Sequence, residues 1–462
     1  MRVWGSHFQD NWTSRLFLAY SVICLISPLT HFVHCTTRQS QDGSSKSNLQ
    51  QLVVPQPLSS SSRLVKRSAT LPPSQLGYTI DMFGASYVLK LRRSVVASER
   101  LEAAVTAKNG AVSTVSFDQH QTQCHYTGIV TMCRSAGQCF QGKAAMSRFA
   151  HGLRGIMKIG GEDVLIEPLP ETLLAKRMRF SNIHIARKKL AGELFTENES
   201  SMMAVMDSLA KSLSVPHDLL DLKSLQSIPK SVTVEVGVFV DSPMVVKLNK
   251  TYPRRKDQVS LLLAGYNAVN LLYEDATIGK MAVKLLVKRI ILDDSSSMPK
   301  DEKVTEYLNQ LCKFYQPNIL KRLKITRDWD LTTALTGLDV YADAVDVTRD
   351  AAYKNLRGSA KKIFTVSGVS YGGGMCSKKK NCMVSEFSLI FGNIETIAHE
   401  TGHTLGMYHD GSGNSCDRKG NRIMSIQRPQ RQRAGWSSCS AQSLQSFVMS
   451  GHAWCLTSKL VS

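Results

Sequence analysis

One stretch, residues 399–410, constrains this chain more than any other. It reads His-Glu-Thr-Gly-His-Thr-Leu-Gly-Met-Tyr-His-Asp. His399 and His403 are four residues apart, so on a helix both imidazoles project from the same face, about one turn apart. Two imidazoles on one face can bind a borderline-soft cation such as Zn²⁺. Glu400 follows the first histidine, where its carboxylate can take a proton from a water molecule at the metal.

A third ligand follows the predicted helix. Gly406 can end the helix with a left-handed turn, after which the chain doubles back and presents His409. Three protein nitrogens leave a position for water, which is typical of catalytic zinc, whereas four protein ligands close a structural site. A helix with two buried histidines is the competing interpretation. The glycine and third histidine at fixed spacing favour the catalytic metal site.

The same stretch resembles the extended zinc signature of the metzincins. Asp410 after the third histidine resembles the adamalysin/reprolysin branch, and Ile423-Met424-Ser425 lies where that family has a methionine-containing turn beneath the metal. Simple core packing is the alternative role for Met424. The resemblance implies a zinc protease with Glu400 as general base and with His399, His403 and His409 as zinc ligands.

Composition and the N-terminus indicate where the protein acts. The net charge of +20 is spread along the 462 residues, and no nucleic-acid-binding module is present, so we expect no nucleic-acid partner. Residues 1–35 contain Arg2, Arg15 and then an apolar run at 16–29, which predicts a signal peptide. No other stretch has the length and apolarity of a membrane anchor. We therefore expect a secreted protein, with glycosylation sequons at Asn198 and Asn249.

Residues 36–230 are predicted to be a propeptide in three parts. Residues 36–75 are linker-like, 76–186 form a β-rich folded prodomain with strands near 87–91 and 111–115, and 187–230 form a connector. The segments around Cys124 and Gly152 resemble landmarks of the reprolysin propeptide, which holds the protease inactive in that family. We expect Cys124 to pair with Cys133 or Cys139. Alternatively, one propeptide thiolate occupies the open zinc position.

Residues 231–462 are predicted to be the protease domain. Strands at 232–240, 281–292, 331–335 and 363–366 alternate with amphipathic helices near 259–269 and 304–311, which predicts an α/β domain with a mainly parallel, helix-flanked sheet. The domain resembles the adamalysin catalytic domain, and most nearly the ADAM with thrombospondin motifs group. That resemblance implies a calcium ion at Glu235 and Asp330. It also implies three disulfides, Cys312–Cys382, Cys376–Cys455 and Cys416–Cys439.

The functional prediction is a secreted, monomeric zinc endopeptidase that is made as a zymogen and cleaves extracellular proteins. An extended substrate would pair with the edge of residues 367–374. The disintegrin-like and thrombospondin modules of the relatives are not expected within these residues. Basic side chains around the cleft suggest acidic glycans or matrix as further contacts, although ordinary solvated charge explains them too: Lys378, Lys379, Lys380, Arg428, Arg431 and Arg433. The alternative is a catalytically silent binding or toxin-like protein that uses this basic surface.

Overall fold

A computed structural model describes residues 21–26, 33–38, 50–58, 72–117, 119–134, 137–149, 152–169, 182–189, 213, 227–343, 362–364, 366–418, 420–425 and 435–457. The chain divides into two compact units, Met1–Asn48 and Leu49–Ser462. The first unit contains an antiparallel hairpin of β1 (Ser21–Ile26) and β2 (Val33–Arg38). This hairpin overlaps the segment that we expect to be a signal peptide, and its removal remains a prediction.

The prodomain is built on a nine-stranded antiparallel sheet with a closely packed apolar face. Its strands are β3 (Gln50–Val53), β4 (Gln56–Pro57), β5 (Gln75–Met82), β6 (Ala85–Arg93), β9 (His125–Arg134), β10 (Cys139–Phe149), β11 (Gly152–Ile159), β12 (Glu162–Pro168) and β13 (His184–Lys189). Their order across the sheet is β3-β13-β12-β11-β10-β9-β6-β5-β4. The alternation of buried and exposed residues in β6 is the period-two pattern that predicted a strand there.

The linker-like prediction for residues 36–75 is wrong where strands form. Besides the end of β2 and the first residue of β5, two whole strands lie in this range. Gln50–Val53 pairs with β13, and Gln56–Pro57 pairs with β5. These strands are short and lie at the two ends of the sheet, and most of their side chains are exposed. With so few residues, and most of the side chains exposed, these strands show no alternating apolar pattern. Their polar composition explains why these two strands were not predicted from the sequence.

The protease sheet has the predicted, mainly parallel topology. Its strands are β14 (Ser231–Val240), β15 (Ala282–Asp293), β16 (Leu331–Thr336), β19 (Gly368–Ser370) and β20 (Cys382–Glu386). Strands β14, β15, β16 and β20 pair in parallel, and β19 pairs antiparallel to β20 at one edge. The expected strand at 363–366 is shorter: β18 (Lys362–Ile363) pairs only with β17 (Ala342–Asp343), in a separate two-stranded sheet.

Helices flank this sheet. They are α1 (Gln119–Thr122) in the prodomain and, in the protease, α2 (Ser242–Thr251), α3 (Arg255–Tyr273), α4 (Val304–Gln310), α5 (Gln316–Leu323), α6 (Ile394–Thr404), α7 (Ser438–Met449) and α8 (Trp454–Thr457). A π-helical segment, Leu311–Tyr315, joins α4 to α5, and a 3-10 turn spans Ala276–Ile278. None of the helices in the described ranges is long and apolar enough to cross a bilayer.

Two prodomain strands belong to the protease sheet, which the sequence did not predict. Strand β7 (Ala97–Thr106) pairs in parallel with β15, and β8 (Val112–Ser116) pairs antiparallel to β7. The complete order is β19-β20-β16-β14-β15-β7-β8. The segment at 111–115, predicted as a prodomain strand, thus forms the outer edge of the sheet that carries the protease.

The cysteine pairing differs between the two halves. In the protease the structure contains Cys312–Cys382, Cys376–Cys455 and Cys416–Cys439, the pairs that the family resemblance implied. In the prodomain, the expected pairing of Cys124 is wrong, because Cys133 bonds to Cys139 across β9 and β10. Cys124 is a buried thiol, and burial raises its pKa to about 12. Within the described residues, Cys124 is not among the ligand atoms that converge with the three histidines, so it does not occupy the open zinc position.

Candidate active site

Helix α6 carries the first two histidines of the signature. It begins after Asn393, whose side chain makes no capping hydrogen bond. Its apolar side chains Ile394, Ile397 and Ala398 are buried against the core. The Tyr273 hydroxyl of α3 donates to the Ala398 carbonyl at 2.8 Å. This hydrogen bond therefore fixes α6 against α3.

Gly406 ends the helix as the sequence predicted. Its φ of +80° is in the left-handed region that favours glycine. The Gly406 N–H donates to the His403 carbonyl and the Met407 N–H donates to the Gly402 carbonyl, which is the hydrogen-bond pattern of a Schellman C-cap. A Cβ at position 406 would also lie 2.8 Å from Cδ2 of Phe447. This turn sends the chain back toward the helix, so that His409 faces the other two histidines.

The three histidines present converging nitrogens. Nε2 of His409 lies 3.1 Å from Nε2 of His399 and 3.0 Å from Nε2 of His403. Nδ1 of His399 bonds to the Ile423 carbonyl at 2.7 Å, and Nδ1 of His403 bonds to the Met407 carbonyl at 2.8 Å. A carbonyl only accepts, so each Nδ1 carries the proton and each Nε2 keeps its lone pair.

This donor set fits a zinc ion. The Nε2 atoms of His399 and His403 each lie about 3 Å from Nε2 of His409, close enough to bind one cation together, and three neutral imidazoles are a usual catalytic zinc set. All three histidines are buried. Within the part of the chain that the structure describes, they are the only group of three or more His, Cys, Asp or Glu ligand atoms that lie within 4.8 Å of one another.

Glu400 lies beside the histidines in an apolar, enclosed setting. The side chain is 2% exposed, and burial raises the pKa of its carboxyl to about 8, although a hydrogen bond from Ser370 lowers it. The Ser370 hydroxyl lies 2.7 Å from Oε2 of Glu400 and 3.0 Å from the Glu400 carbonyl oxygen. Sequence reasoning missed Ser370 as an individual residue. Its one signal was a small polar side chain on the predicted substrate strand.

Strand β19 lies directly over Glu400. A Cβ on Gly368 would be 2.8 Å from Cγ2 of Thr396 and 3.0 Å from Cγ of Glu400, so only glycine allows this close approach. Val369 and Tyr371 point to the opposite face and pack in the core. The Ser367 carbonyl accepts from Glu386, and the Tyr371 N–H donates to Cys382. By alternation, the backbone groups of Gly368 and Ser370 face the open edge of the sheet.

The segment after this strand, which the sequence analysis included in the substrate edge, bonds to the zinc helix. In the structure the Gly373 N–H donates to the His403 carbonyl, and the Met375 N–H donates to the Thr404 carbonyl. The segment therefore ties the edge strand to the end of α6. The open edge that remains is shorter, at Gly368 and Ser370.

Met424 is fully buried. Its Sδ lies against Gly402 of α6, next to the ring of Trp436. The Met424 carbonyl accepts from the N–H of Asp410, and the Ser437 hydroxyl donates to the Asp410 carboxylate at 2.5 Å. The turn at Met424 thus supports both the helix and the loop that carries His409.

The predicted calcium residues lie next to each other but already have partners. Asp330 Oδ2 accepts from the N–H of Glu235 at 2.9 Å, and Glu235 Oε1 forms an ion pair with Lys288 at 3.3 Å. The lysine provides the positive charge that a calcium ion would bring.

The remaining predicted surface residues are placed as follows. Asn249 is exposed on α2, while Asn198 lies outside the described residues. Lys378 and Lys379 are exposed, and Lys380 lies 5.8 Å from the ring centre of Tyr371. The other basic residues of the proposed rim lie outside the described residues: Arg428, Arg431 and Arg433.

Comparison with known families gives two matches. Residues 321–459 match the reprolysin (M12B) family zinc metalloprotease, and residues 32–131 match the reprolysin family propeptide. The first match contains the three histidines, Glu400 and Met424. The second contains β7 and β8, the prodomain strands of the protease sheet.

Several human proteins are similar over most of this chain. "A disintegrin and metalloproteinase with thrombospondin motifs 6" is 29% identical over 358 residues, 72% of this chain and 30% of that protein. The protein with the same name and number 18 is 27% identical over 443 residues, 85% of this chain and 33% of its own length. Number 2 is 28% identical over 402 residues, 82% of this chain and 30% of its own length. The chain thus spans about a third of the length of these relatives.

Proposed function

We propose that this chain, which belongs to the reprolysin (M12B) family of zinc metalloproteases, is a secreted endopeptidase that is made as a zymogen. The observation that carries the proposal is the convergence of three histidine Nε2 atoms beside the buried carboxyl of Glu400. The propeptide match supports synthesis as a zymogen. The predicted signal peptide at 1–35, and the exposed sequon at Asn249, support export.

In this mechanism His399, His403 and His409 hold the zinc ion. Zinc, when bound, supplies Lewis acidity, which polarises the scissile carbonyl and lowers the pKa of water. Glu400 takes a proton from the attacking water as the water oxygen bonds to the carbonyl carbon. It then delivers that proton to the amine nitrogen as the carbon–nitrogen bond breaks. Ser370 holds the carboxylate in position through its 2.7 Å hydrogen bond.

The substrate lies along β19 in this proposal. The outward backbone groups of Gly368 and Ser370 would pair with an extended peptide as an added strand. Because the Ser370 side chain contacts Glu400, the same residue aligns the peptide and the base. We propose extracellular proteins as the substrates, with the exposed Lys378 and Lys379 favouring acidic regions.

The test uses the full-length chain, expressed in a secreting cell line, beside the Glu400→Ala variant. After the chain has been cut between the prodomain and the protease, we expect stoichiometric zinc in both proteins and cleavage of a broad peptide library by the unmodified protein alone. Glu306→Ala is the matched control, because Glu306 is an exposed glutamate on α4 and has no part in the proposed mechanism. Zinc without cleavage would favour the silent binding protein. A folded domain without zinc would refute the metal site.

The calcium ion at Glu235 and Asp330 is a separate proposal with a separate measurement. If calcium binds there, a calcium chelator that spares zinc should lower the melting temperature. An unchanged melting temperature would leave the Lys288 ion pair as the role of Glu235.

A further inference from the structure

The prodomain completes the protease sheet at the edge opposite the substrate strand. In β15, residues Arg289–Asp293 pair in parallel with Glu102–Thr106 of β7. Five strand spacings separate β7 from β19 in the sheet order, which is about 24 Å at the usual spacing. Contacts at β7 and substrate pairing at β19 therefore use different edges of one sheet.

Helix α3 is buried on both sides. It packs against β15 and α6 of the protease and against β9, β10 and β11 of the prodomain. Leu263, Asn267 and Leu271 share one helical face and are each at most 2% exposed. A surface helix has a polar stripe, whereas a helix that is apolar all round needs a partner on each side. The prodomain sheet is the second partner of α3.

One continuous hydrophobic core includes both halves of the molecule. Val105 of β7 and Ala145 and Ile156 of the prodomain sheet belong to the same buried cluster as Leu263 and Val234 of the protease. The two halves are thus packed as parts of one domain. Inter-domain contacts inside a chain are usually smaller and more polar.

Buried polar contacts align the two halves. The amide of Asn267 donates to the carbonyls of Tyr126 and Met146 at 3.0 and 3.2 Å, and its oxygen accepts from the Ser94 hydroxyl at 2.6 Å. All three partners lie in the prodomain. The Thr106 hydroxyl donates to the buried Asp293 carboxylate at 2.8 Å.

A second polar link reaches the zinc helix itself. Nζ of Lys158 lies 3.0 Å from Asp163 of the prodomain and 3.2 Å from Glu395, in the first turn of α6. The prodomain therefore supports α6 directly through Lys158 and indirectly through α3.

We propose that the folded prodomain is a lasting structural subunit of this protease. When maturation cuts the chain between residues 189 and 227, the two pieces stay associated, and the prodomain continues to cover β15 and α3. This inference rests on the proposed function only for the assumption that maturation includes a cut. Separation would expose an open strand edge and an apolar helix face, and none of the described prodomain strands pairs with β19.

The association is non-covalent. Of the nine cysteines after residue 48, Cys133 and Cys139 pair within the prodomain and six pair within the protease, while Cys124 is a buried thiol. No disulfide among these cysteines joins the two halves. Native and denaturing separations therefore distinguish the cut complex from an uncut chain.

The experiment uses the full chain with Glu400→Ala, which prevents self-cleavage, and with a site for a sequence-specific protease inserted within residues 190–212. After complete cutting, we expect one size-exclusion peak at the mass of the uncut protein, even at nanomolar concentration. The two pieces should separate on a denaturing gel without reductant. A prodomain peak that elutes apart from a folded protease peak at micromolar concentration would overturn the proposal. The readout is binding, so a failure of the proposed peptidase activity does not affect it.

A charge-reversal series tests the interface that we assign. Arg289 of β15 forms an ion pair with Glu102 of β7 at 2.9 Å. Arg289→Glu should raise the dissociation rate of the cut complex by roughly tenfold or more, because like charges then face each other. Adding Glu102→Arg should restore the original rate. Lys188→Glu is the matched control, since Lys188 pairs with Glu162 inside the prodomain. Equal rates in all four proteins would refute the assigned interface.

Discussion

Replacing Ser370 tests whether the substrate strand positions the base. The Ser370→Ala substitution removes one hydroxyl and leaves the backbone groups at the open edge of β19 in place. The lost contact is the 2.7 Å hydrogen bond to Oε2 of Glu400, and Ser370 itself is buried. The neighbouring strand pairing and the Gly368 approach to α6 do not depend on this hydroxyl.

The size of the effect is worked for the ionised carboxylate of Glu400, the form that takes the proton from water in the proposed mechanism. A hydrogen bond to a charged group contributes about 1.5–3 kcal/mol, and each 1.36 kcal/mol of barrier corresponds to about tenfold in rate. We therefore expect kcat to fall by roughly 10-fold to 100-fold. KM should change little, because the peptide pairs with the backbone of the strand and not with the hydroxyl. Zinc content should be unchanged.

The assay is steady-state cleavage of a peptide found in the library experiment, with zinc measured on the same samples. Ser385→Ala is the matched control: Ser385 is a buried serine on the adjacent strand β20, and its hydroxyl bonds to the carbonyl of Glu386. A Ser370→Ala enzyme with normal zinc and a kcat within about twofold of the unmodified enzyme would refute the positioning role. Equal losses in both variants would indicate general destabilisation of the sheet.

Three further predictions concern stability and reactivity. Gly406→Ala should lower the free energy of unfolding by about 2–4 kcal/mol, because of left-handed backbone strain and the close contact with Phe447. The control is Gly413→Ala, which has a φ of +71° but no neighbouring atoms near its Cβ position, and which should therefore show only the strain. Equal losses of unfolding free energy for the two variants in denaturant titrations would contradict this. Burial lowers the pKa of His125 from 6.5 to about 3, so its stabilising contribution is complete above pH 6.5 and falls by up to about 1.4 kcal/mol per pH unit as the pH drops toward 3. His125→Asn should flatten that part of the stability curve, and an unchanged slope would refute the assignment. Cys124, with its pKa raised to about 12, should resist iodoacetamide at neutral pH until the protein unfolds, and rapid labelling of the folded protein would contradict its burial.

Local patterns accounted for much of the protease fold. The alternating valines of β14, the apolar spacing of α3 and the Gly406 turn each depend on residues that are close in sequence. The placement of the three histidines follows from the same local geometry, because helix periodicity and one left-handed turn bring them together. These features could therefore be predicted from the sequence.

Other features depend on residues that are far apart in the chain. Ser370 and Glu400 are 30 residues apart, and Ser94 and Asn267 are 173 apart. The pairing of Cys133 with Cys139 could not be chosen from the sequence, because the register of β9 against β10 decides it. The polar strands at 50–57 lacked an alternating apolar pattern, since they are short and most of their side chains are exposed.

The chemistry of this protein is encoded locally, in the type, order and spacing of the ligands and the base and in the helix that carries them. The surroundings of that chemistry depend on tertiary packing. Packing placed a serine of the edge strand against Glu400, and it made β7 and the prodomain sheet part of the protease core. The physical reason is that helix periodicity and turn geometry act over a few residues, whereas strand pairing and packing select partners across the whole chain.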